Sequence, residues 1–319
     1  MRLLLRTDTH WSEYSSIIRD MGEKYSIRLE HCINSINWSE RLAEEKKCDE
    51  IIDLGDFFDT NKCTDTEITA LSEIQWAKLP HRFLVGNHEI SSKDREINSV
   101  NIFRLLGFDI ITEPKMIEDK NFTLCYLPYM FEFPTIRELF PTDKERIIFS
   151  HNNIIDRAFA KEGVNPTDIK NNCRLFLNGH LHNKFTDGNI IVLGNFTGQN
   201  FNEDNINRHY AYILDTDTCQ LEKVENPHAF NFYKIKYGEN IKLRPNAVIS
   251  ISCKESEIEA VKEKYKDCIA LKINIIPEIR KVETQDIIKI NHLQSLVKYM
   301  IDKFGDSKKL QEELSKIVG

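Results

Sequence analysis

The 319-residue chain contains no stretch of about 20 apolar residues, so no part of it reads as a membrane-spanning helix. No leader peptide is expected from the first residues either. The apolar start Leu3-Leu4-Leu5 is cut short by Arg6, Asp8 and His10, and it reads as a strand. Paired cysteines are absent: eight are scattered (32, 48, 63, 125, 173, 219, 253, 268) without one C-x-x-C pair. That argues against a secreted disulfide framework or a zinc ribbon, and for reduced thiols in a cytoplasmic protein. Positive charge is outnumbered, 43 Lys/Arg against 50 Asp/Glu. The net charge is −7, and from residue 226 onward 17 Lys/Arg face 13 Asp/Glu, so residues 1–225 carry −11. An acidic part of this kind does not hold nucleic acid unaided; it needs bound cations, local basic patches or a partner. No internal repeat or low-complexity tract is visible.

What the chain does contain is one pattern five times over. Leu3-Leu4-Leu5 leads to Asp8-Thr9-His10, and Ile51-Ile52-Asp53-Leu54 leads to Gly55-Asp56-Phe57-Phe58-Asp59. Phe83-Leu84-Val85 leads to Gly86-Asn87-His88-Glu89. Ile147-Ile148-Phe149 leads to Ser150-His151, and Leu175-Phe176-Leu177 to Asn178-Gly179-His180-Leu181-His182. Each apolar run ends in metal-ligand residue types, which places those side chains at the tips of strands, facing a cleft. Five of the ten histidines fall in these motifs; His31, His81, His209, His228 and His292 lack such context and read as structural or surface residues.

Between the runs, Leu29, Ile33, Ile36 and Ala43 recur at helical spacing as far as Lys47. Thr64-Asp65-Thr66-Glu67 reads as a capping box, opening a helix that turns Ile68, Leu71 and Ile74 inward and ends by Pro80. Strand 81–85 completes a β-α-β-α-β rhythm, the mark of a layered α/β fold. Residues 96–106 read as helix, and 109–111, 123–127, 146–150, 174–178, 189–193 and 210–214 as strands. The Asn- and Gly-rich stretch 196–208 reads as a surface loop. Near Asn226-Pro227 the character changes, and strands at 232–237, 247–251 and 269–273 with a helix near 255–265 make a small α/β unit. Leu293, Leu296, Val297, Met300, Ile301 and Phe304 then line one helix face. The domain plan is 1–225, the motif-bearing α/β domain; 226–282, a small α/β cap; and 283–319, a helical tail packing on the body or on a partner.

These residue types suit phosphate-ester cleavage, which needs a nucleophile at neutral pH and neutralisation of the phosphate oxygens. Two metal ions ~3.5–4 Å apart supply both, and a shared carboxylate sets their spacing. That role falls to Asp56. Mixed oxygen and imidazole ligands without a thiolate suit Mn²⁺ first, then Fe²⁺ or Zn²⁺, ahead of Mg²⁺.

The series Asp8-x-His10, Gly55-Asp56-x-x-Asp59, Gly86-Asn87-His88-Glu89, His151 and Gly179-His180-x-His182 resembles the calcineurin-like metallophosphoesterases. Within them it looks like the SbcD/Mre-type DNA repair nucleases, especially the phage recombination-endonuclease nuclease subunits. Gly55-Asp56-Phe57-Phe58-Asp59, Leu127-Pro128-Tyr129-Met130 and a small domain plus helical tail carry that finer likeness. The resemblance implies an αββα sandwich with a small cap domain. It implies two divalent ions, one among Asp8, His10, Asp56 and His182, the other among Asp56, Asn87, His151 and His180. A metal-bridging hydroxide would attack in line, with His88 facing the scissile phosphate. The implied partners are DNA, an SMC-like coiled-coil ATPase gripping the C-terminal helices, and a second copy of the chain in a homodimer.

Three positions depart from the pattern. Trp11-Ser12 stands where these nucleases usually have Leu-Gly, Asp59 where some relatives carry a second catalytic histidine, and Glu89 where Asp is usual. Protein Ser/Thr phosphatases share Gly-Asn-His-Glu but carry Arg-Gly after the second-motif Asp, where this chain has Thr60-Asn61. The alternative function on the same cage is a phosphomonoesterase or cyclic-nucleotide phosphodiesterase; a non-catalytic DNA-tethering subunit is a third reading.

Overall fold

Side chains alternate across a strand, so Leu3 and Leu5 point one way and Leu4 the other. All three are fully buried, so packed layers lie on both faces of the first strand. The computed structural model describes residues 1–276 apart from 92–94, 120, 158–159 and 204–207. The expected helical tail, 283–319, lies outside the described residues. Met1–Asn274 forms one compact unit.

The first sheet contains β1 (Arg2–Arg6), β2 (Glu50–Asp53), β3 (His81–Leu84) and β4 (Asp109–Ile111), parallel to one another. β11 (Tyr210–Asp215) and β12 (Gln220–Glu225) extend it antiparallel, in the order β12-β11-β1-β2-β3-β4. The second sheet runs β5-β6-β7-β8-β10-β9. Its parallel strands are β6 (Phe122–Leu127), β7 (Glu145–Ser150), β8 (Leu175–Asn178) and β10 (Ile190–Val192). The edges β5 (Lys115–Glu118) and β9 (Phe185–Asp187) pair antiparallel.

Leu3, Leu5, Ile52 and Leu84 of the first sheet meet Leu124, Ile147, Phe149 and Leu177 of the second in one core. On the outer face of the first sheet, Leu4, Ile51 and Phe83 pack with α1 (Ile27–Glu45) and with Ala70 of α2 (Asp65–Ala70). Outside the second, Ile148 and Phe176 pack with Ile136 of α3 (Ile136–Leu139) and Ile169 of α4 (Pro166–Asn172). The result is the expected mixed α/β sandwich. Truncating a fully buried ring such as Phe83 to alanine costs about 3–5 kcal/mol. A buried polar knot ties the layers together. The Arg6 guanidinium donates to both Asp53 oxygens (2.8 and 2.9 Å) and to Glu40 of α1 at 2.7 Å, and Glu40 also meets His81 at 2.9 Å.

Beyond the sandwich, β13 (Asn231–Lys236), β14 (Ala247–Cys253) and β15 (Ala270–Ile275) form a third sheet beside α5 (Ile258–Lys264). Phe230, Phe232 and Val248 pack against Ile18, so this sheet holds the irregular 11–26 segment in place.

Local readings and structure differ in four places. The capping box forms as expected (Glu67 N to Thr64 Oγ1, 3.1 Å; Thr64 N to Glu67 Oε2, 2.9 Å), but α2 ends at Ala70 and tightens into a 3₁₀ turn, Leu71–Glu73. The tighter turn shifts the phase, so Ile74 is buried while Ile68 faces out. The expected helix at 96–106 is a 3₁₀ helix, Ser99–Leu106, closed by left-handed Gly107 (φ +80°). The 196–208 stretch is no surface loop at its start, since Phe196, Thr197 and Glu203 are buried. Edge strands β5, β9 and β12 had no local signal, because short, mostly exposed strands show little alternation.

Candidate metal centre

The loops that follow β1 and β2 run side by side. Asp8 N donates to Gly55 O (3.0 Å), His10 N to Asp56 O (3.0 Å) and Trp11 N to Phe57 O (2.6 Å). Phe57 and Phe58 anchor the second loop by packing around Phe103, with ring centroids 5.0 and 5.7 Å away. Burying the two rings leaves Asp56 and Asp59 on the cleft side. Asp8 (φ 52°), His10 (48°), Asp56 (51°) and His180 (67°) all adopt the left-handed conformation that non-glycine residues avoid. Such strain costs of order 1–3 kcal/mol per residue and collects at functional sites.

The third and fifth loops approach so closely that only glycine fits. A Cβ on Gly86 would stand 2.2 Å from Asp56 Oδ1, and one on Gly179 would stand 2.1 Å from Thr7 Oγ1. Glu89, fully buried, clamps the second loop to the third: it accepts from Gly86 N (2.7 Å), Phe57 N (2.7 Å) and Phe58 N (3.2 Å). Burial, reinforced by Asp56, pushes its carboxyl up to about 8 despite those donors. Asn152 and Asn178 lock the last two loops, Asn178 Oδ1 accepting from Asn152 N (3.1 Å) and Asn178 Nδ2 donating to Asn152 O (2.9 Å).

Within this frame the ligand atoms of Asp8, His10 and His182 converge, as do those of Asp56, His151 and His180, and of His10, Asp56 and His88. Within each group they lie within 4.8 Å of one another. His10 Nε2 and His182 Nε2 are 3.1 Å apart, with Asp8 Oδ1 3.8 and 3.7 Å from them. His151 Nε2 is 3.0 Å from Asp56 Oδ2 without being aligned to donate to it. Asp56 thus joins two groups, and so does His10. Asn87, the carboxamide expected beside the second group, adjoins His88, whose backbone N donates to Asp56 Oδ1 at 3.0 Å.

Among the described residues, three buried ligand-type atoms of this centre, Asp8 Oδ1, Asn87 Oδ1 and His151 Nε2, are without a hydrogen-bond partner. Atoms of this kind ask for a cation, and the donor set of carboxylate, carboxamide and imidazole fits divalent ions. The electrostatics agree. Burial disfavours charge on His10, yet Asp59, Asp8 and Asp56 raise it to about 10; for His151 burial is likewise outweighed by Asp56 and Asp8, reaching about 9. Burial opposes ionisation of Asp56 as well, but His151 and His10 hold it far below the usual carboxylate range. His180 goes the other way, down to about 4, through burial and the neighbouring His151.

Every imidazole is turned by a partner on its far nitrogen. His10 Nδ1 donates to Asp59 Oδ1 (2.8 Å), His151 Nδ1 to Leu54 O (2.7 Å), His88 Nδ1 to Asp59 O (2.7 Å) and His180 Nε2 to Asn153 Oδ1 (2.9 Å). His182 Nδ1 lies 3.5 Å from Glu203. Sequence reasoning missed these partners. Asp59 holds two histidines at once, although its place in the second motif suggested only a lost catalytic histidine. Glu203 had no signal beyond being acidic in an Asn-rich stretch. His209, read as merely structural, stands 3.9 Å behind Glu203. Arg28 of α1 donates to His10 O (3.1 Å) and Gly198 O (2.9 Å), fixing the strained turn. His88 is the exposed member, with 41% of its side chain open to solvent.

A model of the calcineurin-like phosphoesterases matches residues 1–195. Solved structures similar to this chain include an archaeal phosphodiesterase (11% identity, 70% of this chain and 99% of that one, TM-score 0.39). TT1561 of Thermus thermophilus is similar at 12% identity, over 70% and 98% of the chains, with TM-score 0.44. Yfce, a phosphoesterase from E. coli, matches at 12% identity over 71% of this chain and all of that one, with TM-score 0.34. No curated protein matches. With its family match covering well over half its length, the chain belongs to the calcineurin-like phosphoesterases, metal-dependent hydrolases that bind two divalent cations.

Proposed function

We propose that the chain is a two-metal phosphodiesterase that cleaves DNA, the exo/endonuclease subunit of an SbcCD-like recombination and repair complex in the cytoplasm. The observation that carries it is the placement of His88: on the open side of a buried ligand cluster, with Nδ1 engaged by Asp59 O at 2.7 Å and Nε2 left for substrate. Two divalent ions, Mn²⁺ first among them, supply neutralisation of the phosphate and an acidified water. Asp8, His10, Asp56 and His182 hold one; Asp56, Asn87, His151 and His180 hold the other. His88 steadies the phosphate oxygens or delivers the proton to the leaving alkoxide. Asp59 keeps His10 and His88 in register.

The finer reading, DNA rather than a small ester, rests on the likeness of the motifs to the repair nucleases and on the exposure of His88 to solvent. The same reading makes residues 283–319 the grip for an SMC-like coiled-coil ATPase. It makes the apolar groove lined by Ile68, Leu71, Trp76, Leu105 and Leu106 the contact of a homodimer; Leu105 is 86% exposed there, a cost a second copy would remove. The alternative, a phosphomonoesterase or cyclic-nucleotide phosphodiesterase, draws support from a nucleoside-sized hollow of about 430 Å³ beside His180 and His182.

End-labelled linear double-stranded DNA, incubated with the protein and Mn²⁺, separates the two. The nuclease reading expects degradation that EDTA and Asp56→Asn both abolish. Turnover of p-nitrophenyl phosphate with intact DNA would transfer the function to the small-ester alternative.

A further inference from the structure

The hollow beside the centre has walls that a bare phosphate does not need. It shares His180 and His182 with the metal groups, and its other sides include Arg157, Phe185, Asn200 and Asn202. Phe185 opens the edge strand β9, half-buried with its ring backed by the outer core of the second sheet. The Arg157 guanidinium sits 5.2 Å over that ring and is paired with Asp187, which Lys170 also holds at 2.8 Å. A planar cation pinned on an aromatic ring is already ordered, so stacking on it loses little further entropy. Asn200 braces the rim by accepting from Asn202 N at 2.7 Å. Carboxamides offer both donors and acceptors, as the edge of a nucleobase requires.

We infer that this groove seats the nucleoside attached to the scissile phosphate, its base stacked on the Arg157–Phe185 platform and its polar edge against the Asn200–Asn202 rim. The inference rests on the reading of the centre as one that acts on phosphoesters of nucleotides. At about 430 Å³ the space takes one nucleoside, not a base pair. The histidine wall puts the 5′ or 3′ phosphate of that nucleoside at the metal groups.

Isothermal titration of the Mn²⁺-loaded full chain with two non-hydrolysable ligands tests it: the phosphonate analogue of deoxyadenosine monophosphate, and the same phosphonate on deoxyribose alone. The two carry equal charge, so metal and phosphate contacts cancel in their ratio. The nucleoside ligand should bind at least about tenfold more tightly, the lower end of what base stacking contributes. In Phe185→Ala and in Arg157→Ala that advantage should fall to about twofold or less. Equal binding of the two ligands by the unaltered protein overturns the inference, and so does an advantage that survives both substitutions. Arg157 is partly exposed, so its variant carries the test if Phe185→Ala does not fold. The ratio needs no turnover. The DNA assay with Mn²⁺ therefore tests the proposed activity separately, and one can fail without the other.

Discussion

The two halves of the metal centre are built alike in ligand type and differently in what stands behind the ligands. In the Asp8–His10–His182 half both imidazoles are backed by carboxylates, Asp59 at 2.8 Å and Glu203 at 3.5 Å. In the Asp56–His151–His180 half they are backed by neutral acceptors, the Leu54 carbonyl and the Asn153 carboxamide. A carboxylate behind an imidazole raises its basicity as well as fixing its tautomer, whereas a carbonyl mainly fixes the tautomer. The first half is therefore expected to be the tighter cation site and the second the more exchangeable one. The lesson is that affinity is written one layer back from the ligands.

The substitution that removes the comparison altogether is Asp56→Asn, since Asp56 joins two of the three ligand groups. It should lose DNA cleavage by about 10³-fold or more and leave less than one bound Mn²⁺ per chain by elemental analysis. A variant retaining two ions would refute the shared role. His88→Ala comes next: turnover should fall by ~10²–10⁴-fold with metal content unchanged. Normal cleavage by that variant would remove His88 from the chemistry.

Asp59→Asn sharpens the contrast between the halves. Electron paramagnetic resonance titration with Mn²⁺ should show the tighter site weakened by about 10–100-fold, while Asn153→Ala should disturb only the weaker one, and by less. Equal losses from the two substitutions would mean that backing charge does not distinguish the sites. Glu203→Gln, acting across a longer 3.5 Å gap, should weaken the tighter site by about tenfold at most.

The smallest effect is one of pH. His10 and His151 in the metal-free protein hold protons up to about 10 and 9, above the unfolded value of about 6.5. Their contribution to stability is complete below that unfolded value and is lost as pH rises through the folded ones. Cation binding needs the same nitrogens unprotonated, so it strengthens over that interval. The gap in melting temperature between Mn²⁺-loaded and metal-free protein should widen steadily from about pH 6.5 to about 9. A gap that narrows would place the protons elsewhere.

Strand-end motifs were legible because each is local. An apolar run that gives way abruptly to glycine, polar or charged residues announces a strand tip, and all five such runs are strands. The capping box at Thr64 was legible for the same reason. The opposite facing of Ile68 and Ile74 was not, because the 3₁₀ turn at Leu71–Glu73 breaks the helical period between them. Glu203 lies 21 residues after His182, in a stretch whose composition says loop. Only the chain's return after β10 brings Glu203 to within 3.5 Å of His182.

By itself, then, the sequence determined the layered α/β plan and the residues that reach the cleft, since burial patterns and turn chemistry act over a few neighbours. Tertiary structure alone decided which imidazole each carboxylate supports. Asp59 meets His10 across 49 positions, Glu203 meets His182, and Arg28 reaches Gly198 across 170. Those pairings depend on the order of strands in two sheets, and no local pattern encodes that order.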